Sequence, residues 1–316
     1  MMPYTVALHA SELRSFSSPS LITMPDTVHV PADPRYDAVD LHCHSLHSDG
    51  ALPIAELMAR AQVAELKYFS ITDHDTLRGQ AEALAAAKSA AMHYVTGVEW
   101  SAVWGSYLIH VVGLDFDPSA PASVEAETAQ VRSRARRARR IADKLEREGF
   151  VGVREWLSQQ DDAASIGRPH IAAYLVESQQ AKNMAQVFKR HLGAGKVGDV
   201  KTEWPELEQV VQWITDAGGQ AVLAHPHRYK MTRTKRTQLV ADFADAGGQA
   251  IEIGVPGVMP DMRQHLVQLA QEYELTGSSG SDFHHDEQRW LALGKVPPLP
   301  KDVVPVWSRF RTENKF

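Results

Sequence analysis

The sequence has very little cysteine, since Cys43 is the single cysteine among 316 residues. One cysteine cannot form an intramolecular disulfide, so the chain is not a disulfide-stabilised scaffold, and we expect it in the reducing cytoplasm. A structural zinc site built from several thiolates is excluded for the same reason.

Long apolar runs are missing as well, because no stretch approaches the roughly 18 residues that a membrane-spanning helix needs. Residues 1–35 lack an apolar run and are interrupted by prolines, so they predict a loose N-terminal arm and not a signal peptide. The 39 acidic and 33 basic side chains give a formal net charge of −6, which argues against non-specific coating of nucleic acid. We expect no membrane contact and no obligate protein partner.

The order of predicted elements is that of an α/β protein with one interruption. Strands and helices alternate over residues 36–117 and again over 218–316, which favours a parallel sheet or barrel. Residues 118–217 show helical periodicity instead and predict an all-helical insert. The first four predicted strands cover 37–44, 67–72, 93–98 and 107–113, and the later three cover 220–224, 250–253 and 274–277.

Histidine is abundant where cysteine is scarce, with 15 residues in the chain. His42 and His44 close the first predicted strand, and because side chains alternate along a strand both imidazoles face the same way. Cys43 lies between them, faces the other way and is predicted to be a packed thiol. Other histidines and carboxylates lie in or directly after later strands: Asp73, His74, Glu99, His110, His225, Asp282 and His284.

These side chains would meet at one face of a barrel, because the carboxyl ends of its strands share that face. Imidazoles and carboxylates without thiolates suit zinc, manganese or iron. A single buried histidine is usually a hydrogen-bonded core residue, and His9, His29, His93, His191 and His265 need no other explanation. The repeated placement at strand ends, however, predicts a multinuclear metal site.

Five short motifs carry a family resemblance. They read HCHSLHSDG at 42–50, TDHDT at 72–76, GVE at 97–99, AHP at 224–226 and SDFH at 281–284. Together they resemble the polymerase and histidinol phosphatase (PHP) superfamily over about residues 37–300. The motif order and the helical insert are similar to those of bacterial 3′,5′-nucleoside bisphosphate phosphatases, a group that also includes 5′-to-3′ exoribonucleases.

The resemblance implies a distorted (β/α)7 barrel with an all-helical insertion and three divalent metals per chain, manganese being the first choice and zinc or iron also compatible. It assigns the first metal to His42, His44, Glu99 and Asp282. It makes Glu99 a bridge to a second metal, which is held by His110 and His225. The third metal is assigned to Asp49, His74 and His284. All of these positions carry the expected residue types, which predicts an active enzyme.

Such a site hydrolyses phosphate esters without a protein nucleophile. Water that bridges two cations loses its proton near neutral pH, because coordination lowers its pKa from 15.7 to roughly 7. The resemblance makes Glu99, Asp282 and His225 the residues that hold this water. Asp73 and Asp75 flank His74 and are predicted either to orient imidazoles or to cap the following helix.

Substrate contacts are predicted in two places. Arg168 stands beside a proline at the start of a predicted helix, where free N–H groups attract phosphate and the guanidinium can form a bidentate clamp. The alternative for Arg168 is an ordinary helix start with a solvated arginine. His170 is a further candidate in the same turn, and Arg228 follows His225 by three residues.

Two conspicuous stretches have ordinary alternatives. The GAGKVG run at 193–198 matches G-x-G-x-x-G but does not follow a predicted strand, so it predicts a connection and not a dinucleotide site. Six arginines within 132–140 predict either a solvated helix face or a track for RNA.

The leading hypothesis is a phosphoric ester hydrolase that removes the 3′-phosphate of nucleoside 3′,5′-bisphosphates, with 5′-to-3′ exonuclease activity on short RNA as an overlapping role. Its partners are then a small nucleotide or the 5′ end of a short RNA. One alternative is a phosphatase of another small monoester, such as histidinol phosphate, and the helical insert counts against it. The other is a non-catalytic, metal-stabilised RNA-binding module, and the complete ligand set counts against that.

Overall fold

Two sheets form the centre of the fold. The computed structural model describes residues 38–90, 92–160, 166–193, 195–200, 204–288 and 290–311, and over these ranges it has seven strands. The strands are β1 (Val39–Asp40), β2 (Tyr68–Phe69), β3 (Gly97–Trp104), β4 (Tyr107–Leu114), β5 (Gln220–Leu223), β6 (Ala250–Gly254) and β7 (Thr276–Ser279). β1 pairs with β2, and the other five strands pair in chain order. The predicted α/β class is confirmed, while the predicted N-terminal arm at 1–35 lies outside the described residues.

The five-stranded sheet is mixed and not parallel. β5, β6 and β7 run parallel as predicted, but β3 pairs antiparallel with β4, and β4 pairs antiparallel with β5. The reason is a tight hairpin that the sequence analysis missed. Gly105 has a φ of 56°, which suits a two-residue turn, so Trp104 lies opposite Tyr107 without an intervening helix. The third strand therefore begins at Gly97, and Glu99 lies inside it instead of at its end.

Helices cover the sheets and fill the interval between β4 and β5. α1 shows how the sequence specifies them: it starts after Pro53, and its buried positions Ile54, Leu57, Met58 and Ala61 follow a helical spacing. The helices are α1 (Ile54–Val63), α2 (Gln80–Ser89), α3 (Pro121–Arg147), α4 (Val153–Ser158), α5 (Arg168–Glu177), α6 (Met184–Val187), α7 (Leu207–Asp216), α8 (Arg233–Asp245) and α9 (Pro260–Glu272). A π-helical turn spans Phe188–Leu192 and a 3-10 turn spans Val306–Arg309. None of the helices in the described ranges is long and apolar enough to cross a membrane.

The helices between β4 and β5 have a core of their own. Ile141 and Leu145 of α3 pack with Ile171 and Leu175 of α5, separately from the core around the five-stranded sheet. α7 is different, because its apolar face belongs to the core of the sheet. The division of the chain at residues 117 and 217 remains a prediction.

Backbone hydrogen bonds join the two sheets at both sides. Leu41, just after β1, donates its N–H to the carbonyl of Ser279 in β7 at 3.0 Å. On the other side, His74 bridges to Glu99 of β3 in parallel fashion. The segments that follow β1, β2 and β7 are thereby brought together around β3.

Candidate metal centre

His42 and His44 follow β1 directly, and both are buried. Cys43 faces away from them, as the alternation of side chains predicts. Its thiol packs in the apolar core beside Leu57 and lies 3.4 Å from the carbonyl oxygen of Ser70. The first motif thus divides cleanly into two imidazoles on the polar side and one packed sulfur on the apolar side.

Glu99 is the centre of the cluster. Its side chain is 1% exposed, and its two carboxylate oxygens face different imidazoles. Oε2 lies 3.1–3.3 Å from nitrogens of His42, His44 and His74. Oε1 lies 3.0 Å from His110 Nδ1 and 2.8 Å from His225 Nε2. A carboxylate placed in this way can bridge two cations.

The predicted ligands form three groups, in each of which the candidate ligand atoms lie within 4.8 Å of one another. One group has the predicted composition of the first metal site. A second group contains the three ligands predicted for the third metal and also His44. The remaining group contains Glu99 and His110, as predicted for the second metal, together with His74. His225 reaches this last group through Glu99 Oε1. The groups are His42, His44, Glu99 and Asp282; His44, Asp49, His74 and His284; and His74, Glu99 and His110.

Unsatisfied buried atoms test whether these residues suit a metal. Six of the atoms are buried without a hydrogen bond of acceptable geometry: His42 Nε2, His44 Nδ1, Asp49 Oδ1, His74 Nδ1, Glu99 Oε2 and His225 Nδ1. Leaving a buried polar atom unpaired costs about 1–3 kcal/mol. Coordination of divalent cations uses such lone pairs, and imidazoles and carboxylates are their ordinary ligands, so the residues fit.

Burial and neighbouring charges shift the pKa values of the cluster in opposite directions. Burial alone would raise the pKa of Glu99, but His74, His42 and His110 hold it well below its usual range. Burial alone would lower the pKa of His44, but hydrogen bonds to Asp282 and Glu99 raise it to about 10. At His74 burial prevails and lowers the pKa to about 3. Protons on some imidazoles therefore balance the carboxylates, and a divalent cation would displace those protons.

Asp73 and Asp75 accept hydrogen bonds from serines and an arginine, and neither has a hydrogen bond to an imidazole among the described residues. Asp73 accepts from the N–H and hydroxyl of Ser45 and from the Ser48 hydroxyl. Asp75 accepts from Ser101 and from Arg134, whose Nη1 lies 2.7 Å from Asp75 Oδ2. Both carboxylates therefore stabilise the segments that carry the predicted metal ligands.

Glu252 is the carboxylate that the sequence analysis missed. It lies in β6, is 1% exposed, and its Oε1 lies 2.7 Å from His42 Nδ1. The available signal was one acidic residue inside the otherwise apolar strand Ala250–Gly254, since charged groups are rarely buried without a partner.

The three predicted substrate residues occupy two different places. Arg228 forms an ion pair with Asp282 and so stands at the metal cluster itself. Arg168 is the first residue of α5, and its Nη1 donates to the Leu192 carbonyl at 3.1 Å. His170 caps the same helix, because its Nδ1 accepts the N–H of Gly167 at 3.0 Å. Burial lowers the pKa of His170, which lies within electrostatic reach of Asp49.

The arginine-rich helix has an inner and an outer face. Arg134 and Arg137 point inward, towards Arg168, and we call these three the inner arginine cluster. The guanidinium of Arg137 lies 6.0 Å from the Trp204 ring centroid, and burial together with Arg168 and Arg134 lowers its pKa to about 10. The spacing of three residues between Arg134 and Arg137 was the available signal for a shared face. The other arginines are exposed: Arg132, Arg136, Arg139 and Arg140.

The G-x-G-x-x-G stretch is a connection in the described residues on either side of Ala194. It follows the π-helical turn Phe188–Leu192, and Gly195 donates its N–H to Asp199 Oδ2 at 2.8 Å. Among the described residues, the strand that a dinucleotide site requires does not precede the glycines.

Comparison with known proteins gives matches over most of the chain. The family model described as PHP domain matches residues 40–223. A 5′-3′ exoribonuclease from Haemophilus influenzae is 41% identical over 86% of this chain and 98% of its own length. A 3′,5′-nucleoside bisphosphate phosphatase from Chromobacterium violaceum is 40% identical over 85% of this chain and 95% of its own. The solved structure of an amidohydrolase from C. violaceum, with bound sulfate and no metal, is 39% identical and superposes with a TM-score of 0.77 over 86% of this chain and 95% of its own.

Proposed function

Because the chain belongs to the PHP domain family, we propose that it is a metal-dependent phosphoesterase that hydrolyses nucleoside 3′,5′-bisphosphates to nucleoside 5′-monophosphates and phosphate. A 5′-to-3′ exonuclease activity on short RNA is the overlapping role. The observation that carries the proposal is the placement side by side of two sites that can each bind a phosphate group. An imidazole and carboxylate cluster suited to metals lies next to the inner arginine cluster, and Asp75 links them.

The proposed metal sets overlap with the three groups, but the second set has His225 in place of His74 and the third set leaves His44 to the first. Manganese is our first choice and zinc or iron would use the same ligands. Divalent cations there supply the acidification of water to a pKa of roughly 7 and the neutralisation of phosphoryl oxygens. Glu99, Asp282 and His225 are the residues of the chain that would hold the attacking water. The three sets are His42, His44, Glu99 and Asp282; Glu99, His110 and His225; and Asp49, His74 and His284.

The inner arginine cluster is our candidate site for the phosphate that is not hydrolysed. Arg137 Nε is buried and has no hydrogen-bond partner among the described residues. Burial also lowers the pKa of Arg168, so both cations would gain from an anion. Guanidinium groups bind phosphate in bidentate fashion. Arg228, beside Asp282, is then available to the phosphate that is hydrolysed, and His170 lies within electrostatic reach of both Asp49 and Arg134.

The finer architecture is also a proposal. We infer that the two sheets close into a distorted seven-stranded barrel, with the helical segment of residues 118–217 as its insertion. The hydrogen bond from Leu41 to Ser279 and the bridge between His74 and Glu99 support closure on either side of the two-stranded sheet.

A substrate panel tests the proposed function. Phosphate release is measured with Mn²⁺ on adenosine 3′,5′-bisphosphate, AMP and histidinol phosphate, and release of nucleoside 5′-monophosphates is measured on a 5′-phosphorylated trinucleotide. We expect the bisphosphate to be turned over best, with AMP as its product, and the trinucleotide to be shortened from its 5′ end. Best turnover of histidinol phosphate would favour the small-monoester alternative. No turnover of any compound would refute the enzyme and favour a binding module.

A further inference from the structure

Glu252 is a buried charge that the proposed reaction leaves without a role. It occupies the middle of β6 between Ile251 and Ile253, whose side chains belong to the apolar core of the five-stranded sheet. Burying a carboxylate among such neighbours is costly unless both of its oxygens are paired. Both oxygens of Glu252 are paired.

The two partners of Glu252 belong to different metal sets of the proposed function. Oε1 lies 2.7 Å from Nδ1 of His42, a member of the first group. Oε2 of Glu252 accepts the backbone N–H of His225 at 2.5 Å. The ring of His225 in turn contacts Oε1 of Glu99. The carboxylate of Glu252 therefore contacts the ring of His42, a ligand of the first metal, and the main chain of His225, a ligand of the second.

Each contact fixes something that a metal ligand needs. A carboxylate at Nδ1 of His42 keeps the proton on that nitrogen, so that Nε2 faces Glu99 and Asp282 at 3.2 and 3.3 Å. His225 has a φ of 30°, a backbone conformation that non-glycine residues rarely adopt and that surrounding contacts must hold. The hydrogen bond to Glu252 is one of those contacts.

We propose that Glu252 is a positioning residue that holds the ligands of two metal sites in register, so that weakening it loosens both sites and spares the third. This rests on the proposed metal-dependent function. Within the described residues Glu252 makes no hydrogen bond to Asp49, His74 or His284. Its influence should therefore stop at the first and second sites.

The test is Mn²⁺ binding to the full chain, measured as bound metal per chain and as affinity. Glu252→Gln keeps the shape but offers one carbonyl oxygen to two donors. We expect a 10- to 100-fold weaker affinity at two of the three sites, the usual effect of removing a group that orients a ligand. At limiting Mn²⁺ the Glu252→Gln variant should keep about one metal per chain, the third. The Asp49→Ala variant should keep about two, the first and second, and the double variant should keep none. Glu127→Gln is the control, because that carboxylate accepts from Leu77 and Thr76 and touches no imidazole.

Kinetics separate positioning from a general loss of structure. Raising Mn²⁺ should restore kcat of the Glu252→Gln variant on adenosine 3′,5′-bisphosphate while KM stays unchanged. If that variant does not fold, Glu252→Asp replaces it, and the same selective but smaller loss is expected. Unchanged affinity at all sites, or equal weakening of all three, would overturn the proposal. A wild-type chain that binds no Mn²⁺ would instead overturn the proposed function itself.

Discussion

The metal cluster and the inner arginine cluster lie side by side but are built in opposite ways. The metal cluster uses imidazoles and carboxylates on β3, β4 and the segments after other strands, and its charges are balanced within the cluster. The inner arginine cluster uses long side chains on α3 and α5, where burial together with Arg168 and Arg134 lowers the pKa of Arg137. The first region is balanced by its own members, whereas in the second Asp75 pairs with Arg134 and Arg137 Nε has no hydrogen-bond partner among the described residues. A substrate with two phosphates would serve both regions at once.

The largest expected effect comes from the shared carboxylate of the metal cluster. Glu99→Gln keeps the shape of the side chain and removes the charge that five imidazoles face. A loss of about 4 kcal/mol of transition-state stabilisation is roughly a thousandfold in kcat. Phosphate release and metal content measure it, and Glu127→Gln is the matched control. Retention of full activity and metal would remove Glu99 from the site.

The inner arginine cluster should affect binding more than chemistry. Arg137→Gln is expected to raise KM for adenosine 3′,5′-bisphosphate roughly 10- to 100-fold, because a charged hydrogen bond contributes about 1.5–3 kcal/mol. Arg168→Ala should act in the same direction. Adenosine 3′-monophosphate, which lacks the second phosphate, should be affected little. Arg139→Gln on the exposed face of α3 is the control. An equal effect on both substrates would contradict the assignment.

The internal balance of the metal cluster predicts a pH dependence in the metal-free protein. The pKa of His44 is raised to about 10 in the folded state from an ordinary value of 6.5. Its contribution to stability is therefore complete below pH 6.5 and is lost as pH rises towards 10. The Tm in a chelator should fall between pH 7 and 9.5, and His44→Gln should flatten that fall. A wild-type Tm that is constant or rises over this range would contradict the balance.

The smallest effect concerns the outer face of α3. If RNA binds along Arg132, Arg136, Arg139 and Arg140, replacing them by glutamine should make the RNA affinity less dependent on salt. The slope of log K against log salt concentration should become shallower by about 0.7 per lost phosphate contact. Binding of a mononucleotide should keep its salt dependence. An unchanged slope for RNA would make this face an ordinary solvated one.

The same contrast explains what could be predicted from the sequence. His42, His44 and Asp49 lie in one short motif, and strand alternation is local, so their meeting with Asp282 and His284 could be expected. Glu252 and the inward turn of Arg137 could not, because they depend on which face of an element packs against a distant segment. The hydrogen-bond partners of Asp73 and Asp75 could not be predicted for a similar reason, since Ser45, Ser101 and Arg134 come from distant segments of the chain.

The extent of β3 shows the limit for the fold. The sequence predicted strands at 93–98 and 107–113 within a parallel sheet or barrel, whereas the glycine turn at Gly105 makes an antiparallel hairpin of Gly97–Trp104 and Tyr107–Leu114. The hairpin places Glu99 and His110 on adjacent strands and so brings the second pair of ligands together. A missed turn changed the sheet from parallel to mixed without altering the list of candidate ligands.

The central claim is that divalent metals bound at the metal cluster are required for hydrolysis of a doubly phosphorylated nucleotide. The most direct measurement is phosphate release from adenosine 3′,5′-bisphosphate by chelator-stripped protein as Mn²⁺ is added back. We predict no release without metal, and release that rises with bound Mn²⁺ up to three per chain, with AMP as the other product. Equal release by the stripped protein, or none at any Mn²⁺ concentration, would contradict the account.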